Sequence, residues 1–298
     1  MKFHSLTLKD KPIFEKYLRR QYHELSVYAF ASIFIWKPMY KIFWAVIEKN
    51  LCVFFQDKIG CFMNLEPLGK AKTPALIKKC FKVMDAYNKN PAISRIENIE
   101  ARSLNFYRRQ GYNCLYKTSE YLCLREKIVG LKGDAFKSQR WALNYFIKHY
   151  SFEYLPFRNK DKKSCFLLYN DWVKQRQSNA RDSLYAAMLE DNLFTQKIAL
   201  RDYLQLGLSG RVIKVNGKIS AYTLGYQLNP DTFCILSETT DLNIKGISQY
   251  IFREFSRELT WYKYINIMDD LGLENLAKVK LSYRPIRLIT AYNIERHE

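Results

Sequence analysis

The sequence predicts an α+β protein of two tandem units, each a mixed, mostly antiparallel sheet flanked by helices. Three observations carry this expectation. Strand-like runs come in hairpin-linked groups, amphipathic helical stretches follow them, and the same order appears twice: three linked strands, a helix, a strand, a helix, a strand. The expected division is 1–128 for the first unit and 129–298 for the second, which carries a helical insertion.

In the first unit, Asp10 is placed to cap the helix "KDKPIFEKYLRRQY", with Pro12 in its opening turn. Strand-like runs follow at 41–47, 51–55 and 59–65, and the links "EKN" and "QDK" are short enough for hairpins. Thr73-Pro74 signals a helix start, and "ALIKKCFKVMDAY" keeps apolar residues at three- and four-residue steps. "ISRIENI" then reads as a strand and "ARSLNFYRRQ" as a helix stopped by Gly111. "YNCLY" and "EYLCLR" read as two strands.

The second unit begins with helices: "DAFKSQRWALNYFIKHY", "CFLLYNDWVKQRQ", "RDSLYAAMLE" and "TQKIALRDYLQL". Strands return at 210–215, 218–228 and 232–240, with Asn216-Gly217 as a tight hairpin turn. Gly246 opens the helix "ISQYIFREFSREL". The strand "YKYINI", the helix "LENLAKVKL" and the strand "IRLITAYNI" complete the order.

Composition narrows the class. The 298 residues are 48% hydrophobic and 15% aromatic, enough for a substantial core and unlike a disordered chain. Net charge is +19, with 27 Lys and Arg against 12 Asp and Glu in residues 1–150, and 21 against 17 in residues 151–298. Such a field attracts RNA, anionic lipid or a phosphate-bearing cofactor without choosing among them, and a merely basic surface gives the same count. The seven cysteines are odd in number and form no C-x-x-C pair, so they read as reduced thiols in a cytosolic protein. The four histidines have no metal-ligand spacing, and no metal is expected. "LSVYAFASIFIW" is too short to span a bilayer and no leader peptide is read at the start, so a cytoplasmic protein is expected, with peripheral membrane contact left open.

Specific residues then carry a resemblance. The order of elements is that of the GNAT acyltransferase fold, and "SLNFYRRQGY" resembles its F-Y-x-x-x-G-[FY] tail signature. Over nearly the whole chain the sequence resembles the phosphatidylglycerol lysyltransferase C-terminal-domain family, including its stand-alone bacterial members with tandem GNAT-like units. The resembling stretches are "FIWKPMYK", "LEPLG", "EYLCLREKIVGLKG", "RWALNYFIKHY" and the closing "NIMDDLGLENLAKVKLSYRP". The last is similar to N-R-E-x-D-L-G-x-x-G-L-R-x-x-K-L-S-Y-x-P. Departures accompany it. Gln139 and Trp141 flank Arg140 where members show K-R-N, and Thr239 follows Glu238 where they show F-E-K. Ile267, Met268 and Ala277 replace Arg, Glu and Arg. Lost arginines remove bidentate anion contacts.

The resemblance implies direct acyl or aminoacyl transfer, with acyl-CoA or aminoacyl-tRNA as donor and no covalently bound cofactor. The acceptor is an amine or hydroxyl, with an anionic phospholipid as one candidate and tRNA or lipid as partners. The alternative is a catalytically lapsed module that binds RNA, phospholipid or a protein. Chemistry places candidates on the sequence. Glu238, at a strand end, can take a proton from the attacking group or bind an ammonium. Lys245, Gly246 and Ser248 stand at a loop-to-helix corner that suits phosphates, and Lys70 and Lys72 stand at the corresponding corner of the first unit. Asp269 and Asp270 adjoin the closing helix. Asp269 reads as structural, whereas Asp270 can cap that helix and fix a substrate amine. Asn266 can hydrogen-bond across this corner. Lys280 and Tyr283 are placed to meet an anion or a developing oxyanion, and Arg140 a phosphate or a structural carboxylate.

Overall fold

The computed structural model describes residues 1–178 and 183–297. The first elements are strand β1 (His4–Ser5), helices α1 (Lys11–Leu18) and α2 (Phe30–Phe34), and strands β2 (Lys41–Ile47), β3 (Asn50–Gln56) and β4 (Cys61–Phe62). Helix α3 (Pro74–Asp85), strand β5 (Ile96–Glu100), helix α4 (Leu104–Arg108) and strand β6 (Tyr112–Leu124) follow. Then come helices α5 (Arg125–Gly130) and α6 (Lys137–His149), strand β7 (Phe152–Pro156), and helices α7 (Lys162–Ser178), α8 (Ser183–Arg201) and α9 (Tyr203–Leu206). Strands β8 (Ser209–Val215), β9 (Lys218–Asn229) and β10 (Thr232–Thr240), helix α10 (Ile247–Glu258), strand β11 (Tyr264–Asn266), helix α11 (Glu274–Ser282) and strand β12 (Arg287–Arg296) close the order. This is an α+β arrangement of mixed sheets flanked by helices.

Contacts group the chain into two compact units that do not follow a single cut. One contains Met1–Glu120, Asp269–Gly272 and Leu288–Glu298; the other contains Tyr121–Met268 and Leu273–Arg287. In the first, β1-β2-β3-β4 form an antiparallel sheet, and β5 pairs antiparallel with β12. Its core gathers Phe43, Phe54, Ile77, Phe81, Ile99 and Tyr107, all nearly inaccessible. In the second, the order is β6-β11-β10-β9-β8-β7, with the end of β6 contributing. Two apolar clusters cover its sheet, one around Phe233, Phe252, Phe255 and Tyr283, the other around Phe146, Ile213, Ile247 and Ile251.

Local chemistry explains most elements. Thr73 Oγ1 accepts the Leu76 amide at 3.0 Å and Pro74 fills the first position of α3, as the sequence predicts. Asn216 and Gly217 both adopt positive φ (50° and 76°) in the β8–β9 turn, the geometry a two-residue hairpin requires. The apolar run at 25–36 forms the short, buried α2, and among the described residues no helix is long and apolar enough to cross a membrane.

Other expectations are corrected. Asp10 does not cap α1 with its side chain. Its carboxylate accepts the Thr7 amide (2.7 Å) and hydroxyl (2.9 Å) one turn earlier. The two strands read at "YNCLY" and "EYLCLR" are the single strand β6, because "KTS" between them stays extended. Strand β7 is an addition to the order the sequence predicts: it is short, ends in Pro156 and lies at the edge of its sheet, where a missing amide is tolerated. "LYAAMLE" and "TQKIALR" belong to one helix, α8. Arg181 and Asp182, which open the helical stretch read there, lie outside the described residues.

The cysteines form no disulfide among the described residues, and all but the half-buried Cys114 are buried. Burial pushes Cys61 and Cys123 up to about 12. Among the described residues no His, Cys, Asp or Glu group is arranged to hold a metal ion.

Candidate active site

In the second unit, β10 and β11 run parallel, but only from Thr232 to Cys234 against Tyr264 to Asn266. A bulge at Leu236 then shifts the register of β10 against β9, and β10 continues to Thr240 with β9 as its strand partner. Bulges bend a strand and re-aim its side chains. Past Cys234 the edge of β10 that faces away from β9 therefore has no strand partner among the described residues. Glu238 lies on this open stretch.

The Glu238 carboxylate is half-buried and makes no ion pair among the described residues. Ser248 Oγ, from the first turn of α10, donates to Oε1 at 2.8 Å. Burial pushes the carboxyl up to about 7, and the Ser248 hydrogen bond offsets only part of that. A carboxylate with this affinity is poised to exchange a proton near neutral pH.

Tyr283 follows α11. Its ring is buried in the core and meets Phe252 edge-on at 4.7 Å. Burial, and then the charge of Glu238, push the phenol well above its ordinary range, so it stays protonated as a donor. Its hydroxyl has no hydrogen-bond partner among the described residues. Tyr283 is thus both a core ring and the phenol that senses Glu238.

Gly246 precedes α10 with φ +84°, and a side chain there would meet the Ala142 carbonyl oxygen of α6 at 2.0 Å. Glycine is required twice, for the dihedral and for the close approach. The first backbone bond of α10 runs from the Tyr250 amide to the Gly246 carbonyl, and no side chain caps the helix. The amides of Ile247, Ser248 and Gln249 have no acceptor among the described residues. Lys245 extends over the rings of Trp141 (4.3 Å) and Tyr145 (5.3 Å). A cavity of about 300 Å³ opens beside the loop after β10, lined in part by Trp172, Lys174, Lys218, Thr240 and Asp241. Glu238 is not in its wall, and the strand opening rather than the cavity holds the proton-exchanging group.

The remaining candidates have structural partners. Arg140 Nη1 donates to the carbonyls of Leu131 and Gly133, holding the turn between α5 and α6. Neighbouring Gln139 is buried and donates to the Ser282 carbonyl at 3.1 Å, so it ties α6 to the residue before Tyr283. Asn266, fully buried at the end of β11, accepts the Met268 amide at 2.7 Å. Lys280 donates to the Ile267 carbonyl, and its ammonium lies 5.9 Å from the Tyr121 ring. Asp270 is grouped with the first unit, and Glu238, Gly246 and Tyr283 with the second. It does not cap α11, whose N-cap is Leu273 without a side-chain bond. Its Oδ1 accepts the Gly272 amide at 2.9 Å and closes a turn in which Leu271 and Gly272 have positive φ. Asp269 accepts the Thr118 hydroxyl at 3.1 Å.

The sequence missed the link between Ser248 and Glu238. Ten residues separate them, and only the return of α10 against β10 joins them.

The family described as phosphatidylglycerol lysyltransferase, C-terminal, matches residues 19–295. A conserved protein of unknown function from Bacteroides thetaiotaomicron has a similar structure at TM-score 0.89 and 25% identity, with 100% of each chain covered. L-PGS from Bacillus licheniformis is similar at TM-score 0.64 and 17% identity, covering 96% of this chain and 92% of that one. A tandem GNAT protein from the clavulanic acid biosynthesis pathway is similar at TM-score 0.54 and 8% identity, covering 100% and 99%. No curated protein sequence matches. Family and tandem GNAT fold together support a transferase function, and the chain belongs to the phosphatidylglycerol lysyltransferase C-terminal family.

Proposed function

We propose that the second unit transfers an aminoacyl or acyl group from a tRNA ester or a CoA thioester to an amine or hydroxyl. The observation that carries this reading is Glu238: a carboxylate with its affinity raised to about 7, on the unpaired stretch of β10, without a cation beside it. The lone pair of the acceptor attacks the donor carbonyl carbon, forming a C–N or C–O bond. Glu238 takes the acceptor's proton. Collapse of the tetrahedral intermediate breaks the ester C–O or thioester C–S bond, and the proton held by Glu238 passes to the departing oxygen or sulfur, with the Tyr283 phenol as a hydrogen-bond donor that stays protonated. Transfer is direct, and alignment of donor and acceptor supplies much of the acceleration. The free amides of the first turn of α10 suit the donor's phosphates. An anionic phospholipid fits the basic charge as acceptor.

The test is a transfer assay with labelled aminoacyl-tRNA and labelled acyl-CoA against phosphatidylglycerol vesicles, amines and peptides. Product from one donor, reduced about 10²–10⁴-fold in Glu238→Gln, supports the proposal. Equal turnover by that variant sinks the assigned base. A second reading, a lapsed binding module, draws on Arg140, whose Nη1 is committed to two carbonyls, and on Ile267 and Ala277, which cannot hold an anion. Tight binding of a donor without turnover across the panel favours it.

A further inference from the structure

Helix α6 turns an aromatic face to solvent. Trp141, Tyr145 and His149 recur at four-residue steps, so they share one side of the helix. Their rings form a ladder with centroids 5.5 Å apart for Trp141 and Tyr145 and 4.1 Å apart for Tyr145 and His149. Trp141 is 53% exposed, which leaves much of a large apolar ring in water. The Lys245 ammonium lies 4.3 Å from the Trp141 ring centre. Lys137 and Lys148 stand at helical steps from Trp141 and Tyr145, and α6 carries no Asp or Glu, so the face is cationic throughout.

The location links this face to the Glu238 corner. Gly246 brings the start of α10 against the Ala142 carbonyl, beside Trp141. Lys245 is the residue before that contact, and Ser248, two residues after it, holds Glu238. The ladder, its cation and the carboxylate are therefore fixed to one loop-to-helix corner.

We infer that Trp141, Tyr145 and Lys245 form the seat for the phosphorylated adenosine of the donor, the base stacking on the rings and a phosphate meeting the ammonium. This rests on the transfer reading above. Flat π faces bind nucleobases whatever the sequence; the Lys245 ammonium lies over one face of Trp141, which leaves the other face of that half-exposed ring for the base and the ammonium for a phosphate. Both donor classes carry the required group: coenzyme A has a 3′-phosphoadenosine, and tRNA ends in an adenosine joined through phosphate to the preceding nucleotide.

Calorimetric titration with adenosine 3′,5′-bisphosphate, coenzyme A and an RNA hairpin ending in CCA tests the seat. Trp141→Ala weakens the adenosine ligands about 10-fold or more, Trp141→Phe retains most of the affinity, and Lys245→Gln weakens the bisphosphate more than unphosphorylated adenosine. The better of coenzyme A and the hairpin identifies the source of the nucleotide. Equal affinity in Trp141→Ala and the unaltered protein overturns the seat. So does absence of nucleotide binding at millimolar concentration, or a Trp141-dependent association seen only with anionic vesicles. Because Glu238→Gln leaves the rings intact, the two proposals fail separately. A dead Glu238→Gln with an indifferent Trp141→Ala sinks only the seat, and a fully active Glu238→Gln with a weakened Trp141→Ala sinks only the base.

Discussion

Glu66 in the first unit and Glu238 in the second each follow a short parallel pairing and each precede a helix, Glu66 in the loop after β4 and Glu238 within β10. Met63 bridges parallel to Ile96, as Thr232 to Cys234 pair with Tyr264 to Asn266. From there they differ. In the first unit the chain returns to β3, where Leu51 and Leu68 exchange backbone bonds of 2.8 and 2.9 Å. Glu66 is 2% exposed. It is held by the Lys72 ammonium, by Ser103 Oγ at 3.1 Å and by the Tyr107 hydroxyl at 3.5 Å. In the second unit β10 stays open, and Glu238 has Ser248 as its hydrogen-bond partner. One carboxylate is thus locked in a polar core and the other is open to proton exchange. Lys72 is the charged part of that difference; the loop before α10 carries Lys245 onto Trp141 instead of onto the carboxylate.

The largest expected effect separates the corners by chemistry. Glu238→Gln lowers transfer about 10²–10⁴-fold with little change in thermal stability, whereas Glu66→Gln leaves the chemical step nearly intact. Comparable rate losses in both variants would erase the distinction. Next comes stability. Lys72→Met strands a buried carboxylate, and denaturant unfolding should show a loss of about 3 kcal/mol, near the lower limit for a broken buried pair because Lys72 keeps some contact with water. The double variant Glu66→Gln/Lys72→Met should recover part of that loss, and no recovery would mean that the pair is not the lock. Gly246→Ala forces a methyl group against the Ala142 carbonyl at positive φ and should cost about 1–3 kcal/mol. A melting temperature unchanged by this variant would show that Gly246 does not pack tightly against the Ala142 carbonyl.

The smallest effect is a pH dependence of opposite sign for rate and stability. Glu238 has a folded-state value of about 7, above its ordinary 4.5, so the folded form holds the proton more tightly than the unfolded chain. Its contribution to stability is fully present below about pH 4.5 and is lost as pH rises through about 7. Transfer needs the carboxylate and should rise over the same interval. Ser248→Ala removes a bond that favours the charged form and should move the rate profile upward in pH. A profile unchanged in that variant would detach Ser248 from the base.

Much of this architecture was legible in the residues. Proline after a cap at Thr73, the Asn216-Gly217 turn and the apolar periodicities report local preferences that the tertiary structure does not override. Edge strand β7 was not legible, because a five-residue strand ending in proline carries no period of its own. The site was legible as positions rather than partners. Glu238, Gly246 and Tyr283 stand out in the sequence, but the assignment of Ser248 to Glu238, of Lys72 to Glu66 and of Arg140 to two carbonyls depends on how each loop folds back, at separations of six to ten residues that carry no helical or strand period. Asp270 shows the limit most plainly. A carboxylate before a helix predicts a cap, yet the positive φ of Leu271 and Gly272 turns the chain so that the nearer amide of Gly272 reaches it first.

The buried thiols supply an independent clock for each unit. Cys52, Cys61 and Cys80 lie in the first, and Cys123, Cys165 and Cys234 in the second, all shielded from solvent. Alkylation requires thiolate, so these side chains react with a labelling reagent only when their surroundings open. The order in which the two triplets become labelled, followed by peptide mass spectrometry in dilute denaturant, therefore reads which half of the molecule loosens first, without any engineered probe.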